Sequence, residues 1–508
     1  MSWWLWTLLA LAGLLVVIAI HDLTQTRHAI LRNFPVVGHF RYLLERLGPE
    51  LRQYIVTDND EERPFSRDQR RWVYSNAKGE NSYFGFGTDN RLDAPGYPIF
   101  RHAPFPLGDD ETGAGVAHRE PLSDLASAKV IGERNGRPGA FRPASIINIS
   151  AMSFGSLSGP AVEALNRGAS LAGCLHNTGE GGISSHHRCG GDLVFQIGTG
   201  LFGARDADGR FSIDALLESM ADTQVKAIEV KLSQGAKPGL GGVLPAPKVT
   251  REIAAARGVP VGVTVHSPSR HVDFNDIAGL IDFVERIADA TGVPVGVKSA
   301  VGDPRFWDEL AAEMATKDRG PDFVTVDGGE GGTGAAPLVF SDHVALPFRD
   351  AFPVVFDAFA RRDLHHDVTF IGAGKLGFVP DAAIAMAMGV DLINVGREAM
   401  LAVGCIQAQK CHTGHCPTGV ATQSPRLTRG LDPTDKSVRA AGYIRSFRHD
   451  LRALCHAMGV LHPSLIRLDQ IAIRGADGHL VDAGEALRLD TRWYDDDRRN
   501  RLAATLAD

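Results

Sequence analysis

Residues 369–397 read TFIGAGKLGFVPDAAIAMAMGVDLINVGR. A short β-branched segment, Thr369–Gly372, leads through a glycine-rich loop into a helical pattern from Pro380 to Met388, and a second strand pattern follows at Leu392–Val395. Strands that alternate with helices predict βα units and a parallel sheet. The loop matches the G-x-G-x-x-G pattern of dinucleotide-binding folds, but those folds need an acidic residue at the end of the next strand, where this chain has Gly396-Arg397. Glycine loops after two consecutive late strands are instead typical of the phosphate site of a (β/α)8 barrel.

Earlier segments of the same kind extend this pattern and predict an α/β fold built on a (β/α)8 TIM barrel over residues 144–425. Helical patterns lie between most of the strand candidates, at 160–172, 248–257, 276–290 and 380–388. The segment 261–266 could instead be a strand within a loop. The eight strand candidates are Ile146–Ser150, Leu175–Thr178, Ala227–Leu232, Val261–His266, Val295–Ser299, Phe323–Asp327, Thr369–Gly372 and Leu392–Val395.

The composition is that of an ordinary globular protein, with 44% apolar and 22% charged residues in a chain of 508. The net charge is -7, and the absence of long basic runs argues against nucleic acid as a partner. The length exceeds that of a bare barrel. We therefore expect residues 21–143 to form an N-terminal extension packed on the barrel and residues 426–508 to form a largely helical tail.

The N-terminus carries an uncharged run of eighteen residues from Trp3 to Ile20. This length is near the lower limit for crossing a bilayer, so residues 1–20 are predicted to be a single transmembrane anchor. A cleaved signal peptide and a peripheral helix are the alternatives, although no positive region precedes the run. Arg27, Arg32 and Arg41 follow it, and the positive-inside rule then puts the catalytic domain on the cytoplasmic side of the cell membrane.

Half of the six cysteines lie within twelve residues, at Cys405, Cys411 and Cys416, with Pro417 after the last. Clustered thiols in a reducing compartment suit metal chemistry better than disulfides, and Cys-Pro endings are common in iron–sulfur loops. Zinc, with help from His412 and His415, is one alternative, although the C-x2-4-C pairs of zinc sites are missing. Buried structural thiols are the other. The spacing favours iron and sulfur.

Polar and small residues follow the strand candidates, which is where a barrel carries its functional groups. The loop after the first candidate, residues 151–156, is small enough for backbone contact with a flat ring. Glu180 lies in a glycine loop, where a solvated loop charge is the simplest interpretation. Lys231, Gln234 and Lys237 could face a dicarboxylic acid or a phosphate. Lys298 ends an apolar strand and is predicted to face negative charge or to reach solvent through the barrel mouth.

These pieces in this order resemble the FMN-binding domain of the glutamate synthase family, over roughly residues 142–425. The runs that carry the resemblance are AMSFGS (151–156), NTGEGG (177–182), VKLSQGAKPG (230–239), GGTGA (331–335) and the cysteine loop. The resemblance implies FMN beside a [3Fe-4S] cluster held by Cys405, Cys411 and Cys416. It also implies reduction of the imine that forms from 2-oxoglutarate and ammonia, an oxidoreductase reaction of the class that acts on CH–NH2 groups.

Site residues follow from the resemblance together with the strand-end positions. Substrate-side and catalytic roles fall on Glu180, Lys231, Gln234 and Lys237. Contacts with FMN fall on Met152, Ser153, Lys298, Gly329, Gly332, Gly374, Lys375, Gly396 and Arg397. Ferredoxin or a flavoprotein subunit would supply the electrons.

The chain departs from the family pattern at several places. Leu201 stands where the family has an arginine suited to a substrate carboxylate, and Leu240 stands where it has an acid. We expect neither an N-terminal glutaminase domain nor a C-terminal β-helix, so ammonia or another amine would come from elsewhere. The same redox core acting on another substrate, or an electron-transfer subunit of a membrane complex, are the alternative hypotheses.

Overall fold

The computed structural model describes residues 3–25, 31, 33–51, 61–83, 85, 87–108 and 125–507. Two compact units are present, residues 1–71 and residues 72–508. The helices are Trp3–Thr24, Gly38–Leu51, Arg67–Lys78, Gly159–Ala172, Ile213–Met220, Arg251–Arg257, Ile277–Thr291, Pro304–Lys317, Leu338–His343, Phe348–Ala360, Val379–Ala387, Arg397–Ala402, Pro425–Thr428, Pro433–Ala457, Ala483–Ala486 and Asp496–Ala507.

Eight parallel strands close into a barrel, which confirms the predicted TIM-barrel fold. The ring closes where the eighth strand pairs with the first, with Ile393 opposite Ile147. Because the strands are covered by helices outside and filled by side chains inside, they read as nearly continuous apolar segments. From first to eighth, the barrel strands are Ile147–Ile149, His176–Asn177, Leu193–Ile197, Val225–Lys231, Val295–Ser299, Phe323–Asp327, Thr369–Ala373 and Leu392–Val395.

One predicted barrel strand was wrong and one real strand was missed. Only Val265–His266 of the segment 261–266 is a strand, and it pairs antiparallel with Val243–Leu244 in a small sheet outside the barrel. The true third strand is Leu193–Ile197, which is buried throughout and pairs with Val225–Lys231. Lys231 therefore ends the fourth strand, and Leu201 follows the third.

The outer helices begin and end where their capping residues require. Ser158 accepts a hydrogen bond from the backbone of Ala161 and opens the helix Gly159–Ala172, and Gly173 ends that helix in the left-handed region at φ 63°. Phe348–Ala360 packs its phenylalanines against the seventh strand; the rings of Phe356 and Phe370 lie 5.4 Å apart. The helices predicted at 160–172, 276–290 and 380–388 are confirmed within a residue or two, and the one predicted at 248–257 begins at Arg251.

The tail after residue 425 is less uniformly helical than predicted. The helix Pro433–Ala457 packs on Gly159–Ala172, as the small residues at their contact allow: a Cβ at Gly168 would lie 2.5 Å from the Cβ of Ala440. Two strands follow, Ile471–Arg474 and Leu480–Asp482, and they pair with Pro98–Phe100 in a three-stranded antiparallel sheet. Part of the predicted extension, residues 98–100, is thus joined to the tail.

The N-terminal unit begins with the helix Trp3–Thr24, whose mean hydropathy over its most apolar window is 2.3 and which is exposed along that window. This helix is long and apolar enough to cross a bilayer, by length and composition. The last turn of this helix is joined to the following segment by hydrogen bonds. The Asp22 carboxylate accepts from the Val36 N–H at 2.8 Å and from His39 Nε2 at 2.9 Å. Of the arginines used for the orientation, Arg27 and Arg32 lie outside the described residues, as does the side chain of Arg41.

Candidate active site

A cavity of about 720 Å3 opens at the carboxyl ends of the barrel strands. All eight strand ends or their following loops contribute to its wall, as expected for a TIM barrel. The structure brings most of the predicted site residues together here. They are Met152, Ser153, Glu180, Lys231, Gln234, Lys237, Lys298, Gly332, Gly374, Lys375, Gly396, Arg397 and, from the cysteine loop, Cys411.

The wall of this cavity is strongly cationic. Among the described residues it carries seven lysine or arginine side chains and three carboxylates, an excess of four positive charges. Low-dielectric walls lined by one sign of charge concentrate ions of the opposite sign. The cavity therefore suits ligands that together carry several negative charges.

Glu180 forms a short polar chain with two other predicted residues. Its Oε1 lies 3.0 Å from Lys231 Nζ, and Lys231 Nζ donates to Gln234 Oε1 at 2.8 Å. Burial raises the pKa of Glu180, but the neighbouring Lys231, with smaller effects from Lys237 and Arg257, lowers it further, so the pKa stands below its ordinary value. At neutral pH the cavity thus contains an ionised carboxylate held by a lysine, which differs from a solvated loop charge.

Lys298 lies inside the barrel mouth and does not reach solvent. Its Nζ lies 3.4 Å from Asp327 Oδ2, at the end of the neighbouring sixth strand, and the same oxygen accepts from the Gly235 N–H at 3.1 Å. Burial lowers the pKa of Lys298, but Asp327 and Glu229 raise it further, so the lysine stays charged. Asp327 supplies part of the negative charge that the sequence predicts opposite this lysine. Asp327 also ends a strand, but it was not among the predicted site residues.

A second missed carboxylate lies deeper in the barrel. Glu229 is 1% exposed and accepts hydrogen bonds from Asn177 Nδ2 at 2.8 Å, Gln196 Nε2 at 2.7 Å and Thr325 Oγ1 at 2.6 Å. These bonds join the second, third, fourth and sixth strands beneath the cavity floor and fix the amide of Gln196, which lines the cavity. A charged residue in the apolar run Ala227–Val230 was the available signal.

The glycine-rich loops after the sixth and seventh strands contribute to the site in different ways. A Cβ at Gly332 would lie 2.6 Å from Arg397 Cδ, so this glycine is needed for the arginine side chain to pass, and the Arg397 guanidinium donates to the Glu330 carbonyl. Lys375 adopts φ 59°, which turns the loop after the seventh strand. Gly329 does not line the cavity, and its N–H donates to the Leu346 carbonyl at 2.8 Å; its contact with the cofactor stays a prediction.

The cysteine loop lies at the edge of the cavity, where Cys411 and His412 line the wall. Backbone and side-chain donors approach its sulfurs: the Gln407 N–H donates to Cys405 Sγ at 3.4 Å, and Cys416 Sγ lies 3.6 Å from Thr418 Oγ1. Burial raises the pKa of Cys416, but hydrogen bonds from the backbone of Ala421 and from Thr418 lower it further. Cys416 thus favours the thiolate, which is the form that binds metal, whereas burial and the neighbouring Cys416 raise the pKa of Cys411.

The spacing of the three sulfurs bears on which metal they fit. In the described part of the chain, the ligand atoms of Cys405, Cys411 and Cys416 do not all lie within 4.8 Å of one another. Tetrahedral zinc with bonds of about 2.3 Å would bring them to about 3.8 Å. In an iron–sulfur cluster each thiolate binds a different iron, which requires a wider arrangement. The three sulfurs are therefore spaced more widely than a compact zinc site requires.

A family model described as the conserved region in glutamate synthase matches residues 126–461. The chain is 38% identical over 493 residues to the glutamate synthase large subunit-like protein YerD of Bacillus subtilis, and the alignment covers 92% of this chain and 93% of that protein. It is 36% identical over 336 residues to the archaeal-type glutamate synthase [NADPH] of Thermotoga neapolitana, covering 66% of this chain and 63% of that enzyme. A mandelate oxidase mutant with an FMN adduct covers 72% of this chain and 84% of that structure at 17% identity and a TM-score of 0.40.

Proposed function

Because the chain belongs to the glutamate synthase family, we propose that it is an FMN-dependent oxidoreductase that reduces the imine of a 2-oxo acid to an amino acid. Ammonia or another amine would supply the nitrogen. The names of the relatives support glutamate as the product, and 2-oxoglutarate is the 2-oxo acid whose imine would yield it. The observation that carries the proposal is the meeting of Glu180, Lys231, Gln234 and Lys237 with the glycine loops and Arg397 on one cavity.

The residues present fit FMN at two ends of the cavity. Lys375 and Arg397, with Gly374 and Gly396, supply positive charge and close backbone approach for the phosphate. Small side chains at the first strand end, including Ser153, leave room for the flavin ring, and Lys298 provides a fixed cation nearby. FMN, when bound and reduced, supplies the hydride that imine reduction requires.

The protein side of the reaction is binding and charge placement. Lys237 and Lys231 are positioned to bind carboxylate oxygens of a 2-oxo acid, while Gln234 holds the Lys231 ammonium. The ionised Glu180 can accept hydrogen bonds from the amine nitrogen and stabilise its positive charge as the imine forms. Its lowered pKa favours this role over that of a proton donor. The cavity therefore orders a cationic imine between anchoring lysines and one carboxylate.

We also propose a [3Fe-4S] cluster on Cys405, Cys411 and Cys416 as the route for electrons to the flavin. The support is the hydrogen-bonded thiol at Cys416, the open spacing of the sulfurs and the position of Cys411 on the cavity wall. Ferredoxin or a partner flavoprotein is the class of donor that delivers single electrons to such a cluster.

The experiment that tests the function is a single turnover under anaerobic conditions. Protein loaded with FMN and reduced chemically is mixed with a 2-oxo acid and ammonium, and both flavin reoxidation and the amino-acid product are measured.

We further propose that the helix Trp3–Thr24 anchors the protein in the cell membrane with its catalytic domain on the cytoplasmic side. The full chain is expected to sediment with membranes after high-salt washing and to require detergent for release. A variant that lacks residues 1–25 is expected in the soluble fraction with its FMN content unchanged. Release of the full chain by salt alone would contradict anchoring, and digestion of the barrel domain by protease added to intact spheroplasts would contradict the orientation.

A further inference from the structure

Arg257 is a buried cation on the wall of the cavity that forms no direct ion pair with a carboxylate of the described residues. It ends the helix Arg251–Arg257, in the long excursion between the fourth and fifth strands, and its residue is 7% exposed. Its Nη2 donates to the Phe154 carbonyl at 3.2 Å, while its Nε is buried without a hydrogen-bond partner. Among the described residues, its guanidinium forms no ion pair within 4.0 Å, and the Glu180 carboxylate acts on it only through a longer-range electrostatic interaction. A buried charge without a directly bonded counter-ion is costly, and an anion that enters the cavity would reduce that cost.

The loops around Arg257 leave room for its guanidinium and hold it in place. A Cβ at Gly181 would lie 3.1 Å from Nη2, and a Cβ at Gly155 would lie 3.3 Å from the same atom. Glycines after the first and second strands therefore let two loops close around the guanidinium. The Phe202 ring packs on it, with 5.1 Å between the ring centroid and Cζ.

Arg257 places a guanidinium close to position 201, where the family pattern has an arginine and this chain has Leu201. Leu201 is 2% exposed and does not line the cavity, so it presents no group to a substrate. Its neighbour Phe202 nevertheless stacks on Arg257, and this brings a guanidinium from a different segment beside the loop after the third strand. The cavity thus contains the Arg257 guanidinium near position 201, the position at which the family pattern has an arginine.

We propose that Arg257 binds the second carboxylate of the substrate and so selects a dicarboxylic 2-oxo acid. This inference rests on the proposed function and assigns the residue that selects its substrate. The charges agree with it: of the four excess positive charges in the cavity, a phosphate monoester offsets about two, which leaves about two for a dicarboxylate. A monocarboxylic 2-oxo acid would offer Arg257 no carboxylate to bind.

Arg257→Met tests the proposal because methionine keeps much of the apolar stem and removes the charge. With the FMN-loaded, oxidised protein, we expect the Kd for 2-oxoglutarate to rise about 10- to 100-fold. The Kd for 2-oxohexanoate, which lacks the second carboxylate, is expected to change by less than about threefold. Arg257→Lys keeps a cation without the planar fork and should fall between the two proteins. Isothermal titration calorimetry supplies these constants without any need for turnover.

Arg205→Met is the matched control. Arg205 stacks on the same Phe202 ring, 4.6 Å from its centroid, and donates to the Arg257 carbonyl, but it does not line the cavity. Its loss should leave both Kd values within about threefold of the wild type. The proposal is overturned if Arg257→Met binds 2-oxoglutarate as the wild type does, or if it weakens both acids equally.

Failure of the inference and failure of the proposed function give different results. Wild-type protein that binds 2-oxoglutarate through Arg257 but makes no amino acid would uphold the carboxylate site and contradict the reaction. Wild-type protein that makes glutamate with no dependence of affinity on Arg257 would uphold the reaction and contradict the site. If Arg257→Met is too unstable to purify, the Kd ratio of the two acids measured with Arg257→Lys decides, since loss of folded protein affects both acids alike.

Discussion

The Glu180→Gln variant is expected to bind FMN as the wild-type protein does and to lose turnover by about 100- to 1,000-fold. Glutamine keeps the size and hydrogen-bonding shape of the side chain but removes the charge, and the ionised Glu180 is the carboxylate that lies 3.0 Å from Lys231 on the substrate side of the cavity. The phosphate contacts proposed for Arg397 and Lys375 belong to other loops, so the flavin spectrum and stoichiometry should not change. Steady-state kcat and flavin absorbance measure the two effects separately.

Glu252→Gln is the control for a general effect of losing one carboxylate. Glu252 is half-exposed, pairs with His186 at 2.9 Å and does not line the cavity, so its kcat should match the wild type. Glu180→Asp keeps the charge on a shorter side chain and should retain more activity than Glu180→Gln. Full activity of the Glu180→Gln variant would contradict a catalytic role for Glu180 and would favour a simple loop charge. Loss of FMN from the same variant would assign it to cofactor binding instead.

Cys411→Ala is expected to lose the cluster and, with it, turnover driven by an external electron donor. The wild-type protein purified without oxygen should contain about three irons per chain, and the variant should contain less than about one, because a [3Fe-4S] cluster with two thiolate ligands is poorly held. Single turnover of chemically reduced, FMN-loaded variant should remain close to wild type, since that experiment bypasses the cluster. Metal analysis and electron paramagnetic resonance measure the cluster, and the two assays separate electron supply from imine reduction.

Cys189→Ala is the matched control for the cysteine experiment. Cys189 is a partly exposed thiol outside the loop, whose Sγ lies 3.7 Å from the Ser185 carbonyl, and its removal should leave the iron content unchanged. About one zinc per chain in place of iron would contradict the cluster and favour a zinc site. An iron content that survives Cys411→Ala would show that this thiolate is not a ligand.

Most of the barrel could be predicted from sequence because its strands are short apolar runs between helical patterns. One barrel strand differs from the prediction: the candidate Val261–His266 lies outside the ring, and Leu193–Ile197 lies in it. This difference has a physical cause. A strand in a loop sheet and a barrel strand have the same β-branched composition, and only tertiary pairing decides which of them enters the ring. Between the second strand, His176–Asn177, and the third strand the structure has only the 3-10 turn Ser185–His187, so the helical pattern that marks a βα unit is missing there.

The site was predictable as far as residues at strand ends were concerned. Glu180, Lys231 and Lys298 end strands or follow them, and barrel topology brings such residues to one rim. Arg257 could not be found in this way, because it ends a helix in a long excursion and reaches the cavity only through the folding of that excursion over the mouth. Gly329 shows the limit of the same reasoning: it lies in a glycine-rich loop after a strand, but its N–H already donates to the Leu346 carbonyl, a contact that strand-end position does not reveal.

The most direct test of the account is one anaerobic turnover with labelled nitrogen. Protein loaded with FMN and reduced chemically is mixed with 2-oxoglutarate and 15N-ammonium, and flavin absorbance is followed while the product is identified by mass spectrometry. The account predicts reoxidation of the flavin only when both substrates are present, with about one 15N-glutamate formed per flavin, because a reduced flavin carries one hydride. A protein that binds no FMN, or a bound flavin that stays reduced with 2-oxoglutarate and with every other 2-oxo acid supplied with ammonium, would contradict it.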